Sequence, residues 1–488
     1  MKKTILSIIA AVCLISCKKS FLEIVPLGTQ LTVTTADYDK LMNDPAFYFS
    51  SSGGGLGEAQ LMGDDVNADA STFNGVNPLR EKFFFWDADI YERSKVLPPM
   101  LRTELGQRYT LNKIINEVMD SKEGTLGDKT RIRAEALASR AWSNFQLTNY
   151  YCKPYVEATA TSDPGFPLIT EPDINTSEFS RGTLKESYDA IIKDFTEAIA
   201  GLPAVPSVKT RMSKPAAQGL LGKVYLFMGK PAEALPLLRA ALSGSTANGW
   251  ASLYDYNVTL SAGGAFLPIS SRNGPRGPGN DFSDMKEAIV SKVYYCGSYN
   301  GNVTGNNGLL LSEKARDLYV SQDKRLLLYS DKSTFGDVLP NSSLRKYGVQ
   351  YSRWGLQLPD LYLLSAECKA RLNDLSGAKI DVEALRKNRI GTENNIDYWQ
   401  VPATIAADQT ALIKFIIDER VREFAMEGHR WNDMRRISVD QLFRGINFSH
   451  SMYNTNGPAT YVLKQPERLV LKLPSYIVDS SPGMVNNP

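Results

Sequence analysis

Histidine is almost missing from this chain: among 488 residues there are two, His429 and His450. A Ser–His or Cys–His catalytic unit therefore has few candidates. No C-x-x-C or H-x-x-x-H spacing offers a zinc site, so no metal and no cofactor is expected. The glycine-rich SSGGGLGEAQ at 51–60 is not followed by Gly-Lys-Ser/Thr, which excludes a P-loop. No G-x-S-x-G elbow occurs. An excess of one charge is lacking too, with 55 Lys and Arg against 53 Asp and Glu. Without a concentrated basic run, nucleic acid is not an expected partner. Long apolar runs are confined to the N-terminus, and cysteines number five.

That N-terminal run is informative. MKKTILSIIAAVCLISCKK opens on Lys2 and Lys3, then stays apolar from Ile5 to Ile15 except for Ser7. It is shorter than the roughly 20 residues a bilayer requires, and it fits the apolar region of a secretory signal. It ends in LISC, Leu14 to Cys17, which resembles a bacterial lipobox. The resemblance implies cleavage before Cys17 and acylation of its thiol. Acyl chains attach a protein to a membrane without a spanning helix. Removing residues 1–16 takes away Lys2 and Lys3 and leaves 53 charges of each sign. Cys13 leaves with the signal, so Cys152, Cys296 and Cys368 remain. This odd, widely spaced set is no disulfide framework. The three read as small buried apolar residues, with room for one disulfide but no requirement for it.

From about residue 105 the pattern turns helical. YTLNKIINEVM and KTRIRAEALASRAWSNFQLTNYY repeat apolar residues at steps of three and four. TLKESYDAIIKDFTEAIAGL opens with Thr183 and Glu186 in a capping-box pattern. QGLLGKVYLFMGKPAEALPLLRAAL places Leu221, Gly222, Tyr225, Ala234 and Ala241 at the spacings of a tetratricopeptide hairpin, a unit of about 34 residues. In YLLSAECKARLNDLSGAKIDVEALRKNR, Ala366 and Ala378 repeat the Gly222-to-Ala234 offset. Small residues there let two helices approach closely. The expected architecture is mainly α: helical hairpins over about 105–243 and 357–436, with irregular segments at about 45–100 and 244–310. The domain organisation reads as a signal at 1–16, a lipid-anchored tether at 17–35 and one domain at 36–488. Within it, DDVNADASTFNGV nearly fits a calcium loop through Asp65, Asn67 and Asp69. Ala70 and Val76 then stand where glycine and glutamate are needed, so an exposed polar loop is expected instead.

One stretch concentrates charge. ALIKFIIDERVREFAMEGHRW reads as a single helix from near Ala411, with an apolar stripe through Leu412, Ile416, Val421 and Phe424. EGHRWNDMRR, Glu427 to Arg436, closes it. His429 and Asp433 lie four apart and can share a face, but a third metal ligand is wanting. The favoured reading is a helix end tied by Glu–Arg pairs, each needing the other if buried.

The same residues carry a family resemblance. DERVREFAMEGHRWNDMRRI, with Glu419, Arg420, Glu423, Glu427, Gly428, Arg430, Asp433 and Arg436, closely resembles a signature of the SusD/RagB family of Bacteroidota. AEALASRAWSNFQLTNYY, DLYVSQDKR with Asp323 and Arg325, and LPDLYLLSAECKARL are similar to further family segments, in family order. The resemblance implies a SusD-like α-α superhelix, a tetratricopeptide-like scaffold whose irregular segments build a ligand face. It implies a lipid-anchored outer-membrane protein, not an enzyme. Such a protein binds oligosaccharides and hands them to a SusC-like TonB-dependent transporter. Sugar rings need flat aromatic faces and polar side chains. The candidates are Trp86 and Trp250 as platforms, Phe73 and Tyr299 as further contacts, and Arg80 and Asn74 as hydrogen-bonding partners. Two alternatives stay open: the same fold binding peptides for uptake, or a helical-repeat adaptor that binds protein only.

Overall fold

The computed structural model describes residues 32–488 apart from 51–56, 76–77, 92–97, 176–177, 248, 272–273, 296–307, 334 and 348–350. The signal, most of the tether, Cys17, Cys296 and Tyr299 lie outside the described residues.

Nine helices of ten residues or more build the scaffold among the described residues. They are α1 Arg108–Glu117, α2 Leu126–Tyr151, α3 Leu184–Gly201, α4 Lys214–Phe227, α5 Pro231–Thr246, α6 Leu358–Arg371, α7 Leu375–Arg386, α8 Gln409–Phe424 and α9 His429–Ser438. Their starts are written in the chain. Thr125 with Asp128, and Thr183 with Glu186, form complete capping boxes at α2 and α3, each satisfying two end groups. From Ala134 onward α2 is buried on every side, so it packs as the central rod against α1 and α3. The two hairpins are α4–α5 and α6–α7, and α5 packs on α6 to join them. At Gly222 an added Cβ would stand 2.7 Å from Leu238 Cγ, which is why that helix contact needs glycine. Ala366 and Ala378 occupy the matching places in the second hairpin, both fully buried.

Three expectations change. The signature helix is two helices. Met426 (φ +63°) and Gly428 (φ +87°) turn the chain between α8 and α9. The stretch 45–100 is not simply irregular: short helices Gly57–Met62, Ala70–Phe73 and Pro78–Phe84 place Phe73, Phe83 and Phe84 in the core. The stretch around Asp65 is no exposed loop. Val66–Asp69 is a strand, Asp65 and Asn67 are buried, and Asp69 caps the helix after it. These side chains serve separate partners and do not converge on a cation: Asp65 accepts from Met426 N at 2.7 Å and Asn67 from Ser451 N at 2.8 Å.

Strands are short and gathered from distant parts of the chain. Val66–Asp69 pairs parallel with Ser449–Asn454, through Met452 and Ala68, and antiparallel with Leu309–Leu311. Ser449–Asn454 also pairs with Gly457–Val462. A second sheet joins Phe49–Ser50, Val293–Tyr295 and Tyr351–Arg353. One large hydrophobic core runs from Tyr38 to Met484 and includes residues of both sheets and of most scaffold helices.

Candidate functional site

The charged signature is an ion-pair lattice. Arg420 donates to Asp360 at 2.6 Å and to Asp433 at 2.8 Å. Arg436 bridges Asp433 at 2.8 Å and Glu367 at 2.6 Å. Glu419 accepts from Arg386 at 2.6 Å and Arg422 at 2.8 Å, and Glu423 from Arg325 and Arg389 at 2.9 Å each. Arg430 reaches across to Asp64 at 2.5 Å, and Lys346 pairs with Glu427. Most of these groups are buried. Burial alone pushes the Glu367 carboxyl up, but Arg436 and Arg371 outweigh it and hold it at about 2. Burial, reinforced by Lys223, pushes His429 down to about 4, and its ring stacks on Phe424 at 4.4 Å. Both Asp433 oxygens already accept from guanidinium groups, so the His429–Asp433 pair has no carboxylate free for a metal. The lattice ties α8 and α9 to α6, to Arg325 and to the N-terminal strand region.

Three of the aromatic and polar candidates belong to the core. Trp86 is 5% exposed. Its positive φ of 50° turns it back at the end of helix Pro78–Phe84. There its ring stacks on His450 at 3.9 Å and Nε1 donates to Met62 O at 3.0 Å. Phe73 is fully buried against Phe84, under the guanidinium of Arg80 at 3.9 Å, and Arg80 is itself buried. None of the three has a face to offer a sugar ring. Asn74 is exposed at the C-terminal end of helix Ala70–Phe73. Tyr299 lies outside the described residues.

Trp250 stands differently. It is half-buried on an open groove of about 670 Å³ that Tyr48, Lys209, Phe282, Ser283 and Met285 also line. Its Nε1 leans on Ile289 O at 3.4 Å, and the Lys209 ammonium lies 5.4 Å from its ring centre. Lys209 is fixed by donating to Met285 O at 2.6 Å. Half-buried rings continue from the groove. Phe282 meets Phe49 at 5.7 Å and Tyr351 at 5.9 Å, and Tyr351 meets Tyr295 at 5.7 Å. The second sheet holds three of these rings, and the Gly/Pro-rich segment 274–283 carries Phe282 over them. Tyr48, Phe282 and Tyr351 are not among the candidates chosen from sequence. Phe282 was findable, since it lies in the 244–310 segment beside Pro275, Pro278 and Gly279. Tyr48 and Tyr351 come together only through strand pairing.

An α-helical scaffold bearing an open, ring-lined groove is thus the class of protein in hand. Two family models match it: "Starch-binding associating with outer membrane" over residues 107–226 and "SusD family" over 336–488, together more than half of the chain. The chain belongs to the SusD/RagB family. No curated protein matches it. Solved structures share the fold over nearly the whole chain. A putative sugar binding protein from Bacteroides vulgatus is 19% identical, with a TM-score of 0.67, over 94% of this chain and 99% of its own. A SusD superfamily protein from Bacteroides thetaiotaomicron is 19% identical at TM-score 0.69, over 93% and 100%. A laminarin binding SusD-like protein is 18% identical at TM-score 0.60, over 93% and 99%. Among the described residues no helix is long and apolar enough to cross a membrane.

Proposed function

We propose that this chain is a glycan-binding lipoprotein of the outer membrane, anchored through acylated Cys17. In this reading it captures oligosaccharides at the Trp250 groove and delivers them to a SusC-like TonB-dependent transporter. The observation that carries the reading is the groove itself. Half-exposed Tyr48, Trp250 and Phe282 present flat apolar faces beside the polar Lys209 and Ser283. That combination suits the C–H face and the hydroxyls of a pyranose. The family and the laminarin-binding relative agree with it. No catalytic step is assigned to the signature acids, because Glu419, Glu423 and Asp433 are each held by two or more arginines.

Calorimetric titration of residues 18–488 against plant, host and microbial oligosaccharides, with short peptides alongside, tests this. The expected result is saturable binding of one glycan class, abolished in Trp250→Ala with melting temperature nearly unchanged. Heat with peptides and silence with every glycan would replace the glycan reading with the peptide one. Silence with both, together with capture of a protein partner, would leave an adaptor.

A further inference from the structure

Of the nine described residues that line the Trp250 groove, one is charged, Lys209, and none is a carboxylate. The Lys209 ammonium is already engaged. It donates to Met285 O at 2.6 Å and to Lys286 O at 3.2 Å, and it lies 5.4 Å from the Trp250 ring centre. The charged groups that act on it, Asp284 and Arg353, are of opposite sign. Its own carbonyl accepts from Ser291 N at 2.7 Å, so the loop around Lys209 is fastened to the segment from Met285 to Ser291. Lys209 thus braces the groove wall instead of standing free for an anion.

The polar groups still unengaged are neutral. Ser283 Oγ donates to Asp281 at 2.7 Å, and Asn43 Oδ1 accepts from Arg211 at 2.7 Å. The Tyr48 and Thr210 hydroxyls have no hydrogen-bond partner among the described residues, and neither has the Asn43 amide nitrogen. All three side chains reach solvent. A hydroxyl both donates and accepts, which is the complement of another hydroxyl. A carboxylate or sulfate moved from water onto the rings of Tyr48, Trp250 and Phe282 would lose hydration with no free counter-charge to replace it.

We propose that the groove selects neutral oligosaccharides, with the Tyr48 and Thr210 hydroxyls reading sugar hydroxyls while the rings cover the C–H faces. The inference rests on the glycan reading of this groove. It narrows that reading to uncharged sugars and adds two contacts that specify them. Lys209 acts here as a positioning residue, holding the wall on which Trp250 stands.

The test titrates the purified protein with neutral hexasaccharides of glucose, xylose, mannose and galactose, each beside a carboxylated and a sulfated counterpart. One neutral probe is expected to bind about tenfold or more tightly than its acidic forms, the scale of one charge left without a partner. Its affinity is expected to stay within about twofold between about 0.05 and 0.5 M salt, since screening acts on charges. Tyr48→Phe keeps the ring and removes only the hydroxyl, and Thr210→Val keeps the shape of the side chain. Each is expected to weaken the neutral probe about threefold to tenfold, the loss of one neutral hydrogen bond, at an unchanged melting temperature. An acidic probe that binds as tightly as its neutral form, or an affinity that falls steeply with salt, overturns the inference and leaves the groove reading standing. Full affinity in both hydroxyl variants overturns it as well. Absence of binding by any glycan, acidic ones included, overturns both readings.

Discussion

Arg420 donates to Asp360 and Asp433 at once, with all three side chains almost fully buried. Replacing it by Met leaves two buried carboxylates short of a partner. A loss of about 3–5 kcal/mol of stability is expected, read by denaturant unfolding. Glu58 shows the opposite situation. Burial pushes its carboxyl up to about 7, although backbone N–H groups of Glu58 and Met100 act against this. Below the ordinary carboxylate range the group is neutral in the folded and unfolded chain alike, and nothing is lost. As pH rises toward 7 the unfolded chain releases this proton while the folded one keeps it, so stability falls. Glu58→Gln removes the penalty. It is expected to stabilise the protein by about 2–3 kcal/mol at pH 8 and by almost nothing near pH 4.5. Melting curves at the two pH values check this, and a gain equal at both would remove the titration argument. Trp86 and Trp250 show how little residue type alone decides. Both are tryptophans in loop-like sequence, yet one stacks on a buried histidine and the other edges a groove.

At the scale of the element, the break between α8 and α9 is what aims the lattice. Gly428 holds a left-handed φ of +87°, and Arg430 just beyond it reaches Asp64. Gly428→Ala is expected to cost about 1–2 kcal/mol, the scale of the left-handed penalty for a residue with a Cβ. Denaturant midpoints measure it, and an unchanged midpoint would show that the turn relaxes freely. The helices and their caps were legible in the sequence because periodicity and capping are local: Thr183 with Glu186 is a complete statement within four residues. The helix break was not legible, since Phe424 and Ala425 continue the apolar stripe up to the turn. The strands were less legible still. Phe49–Ser50 and Tyr351–Arg353 are two and three residues long, and they gain meaning only from Val293–Tyr295, a strand remote from both in the sequence. The candidate site inherits that difficulty. Trp250 could be picked by type, whereas Tyr48 at the groove and Tyr351 behind Phe282 are brought near by strand pairing that no local pattern announces.

At the scale of the whole molecule, scaffold and groove have different sources. The helical hairpins are built from neighbours in sequence, while the sheets and the ring-lined face collect segments from both ends of the chain. The signature lattice is the clamp between these parts, which accounts for so much buried charge in a protein with nearly balanced totals. The pairing of Ala68 with Met452 carries one further implication. It encloses almost the entire described chain in a single loop, and contacts of that separation form late. A ribosome that has released residue 68 must still produce nearly four hundred more before this strand finds its neighbour. The hairpins can condense while the chain is being made, but the closing strand waits for the end. The four-stranded sheet therefore cannot be completed until synthesis is nearly over, whatever the hairpins have already done.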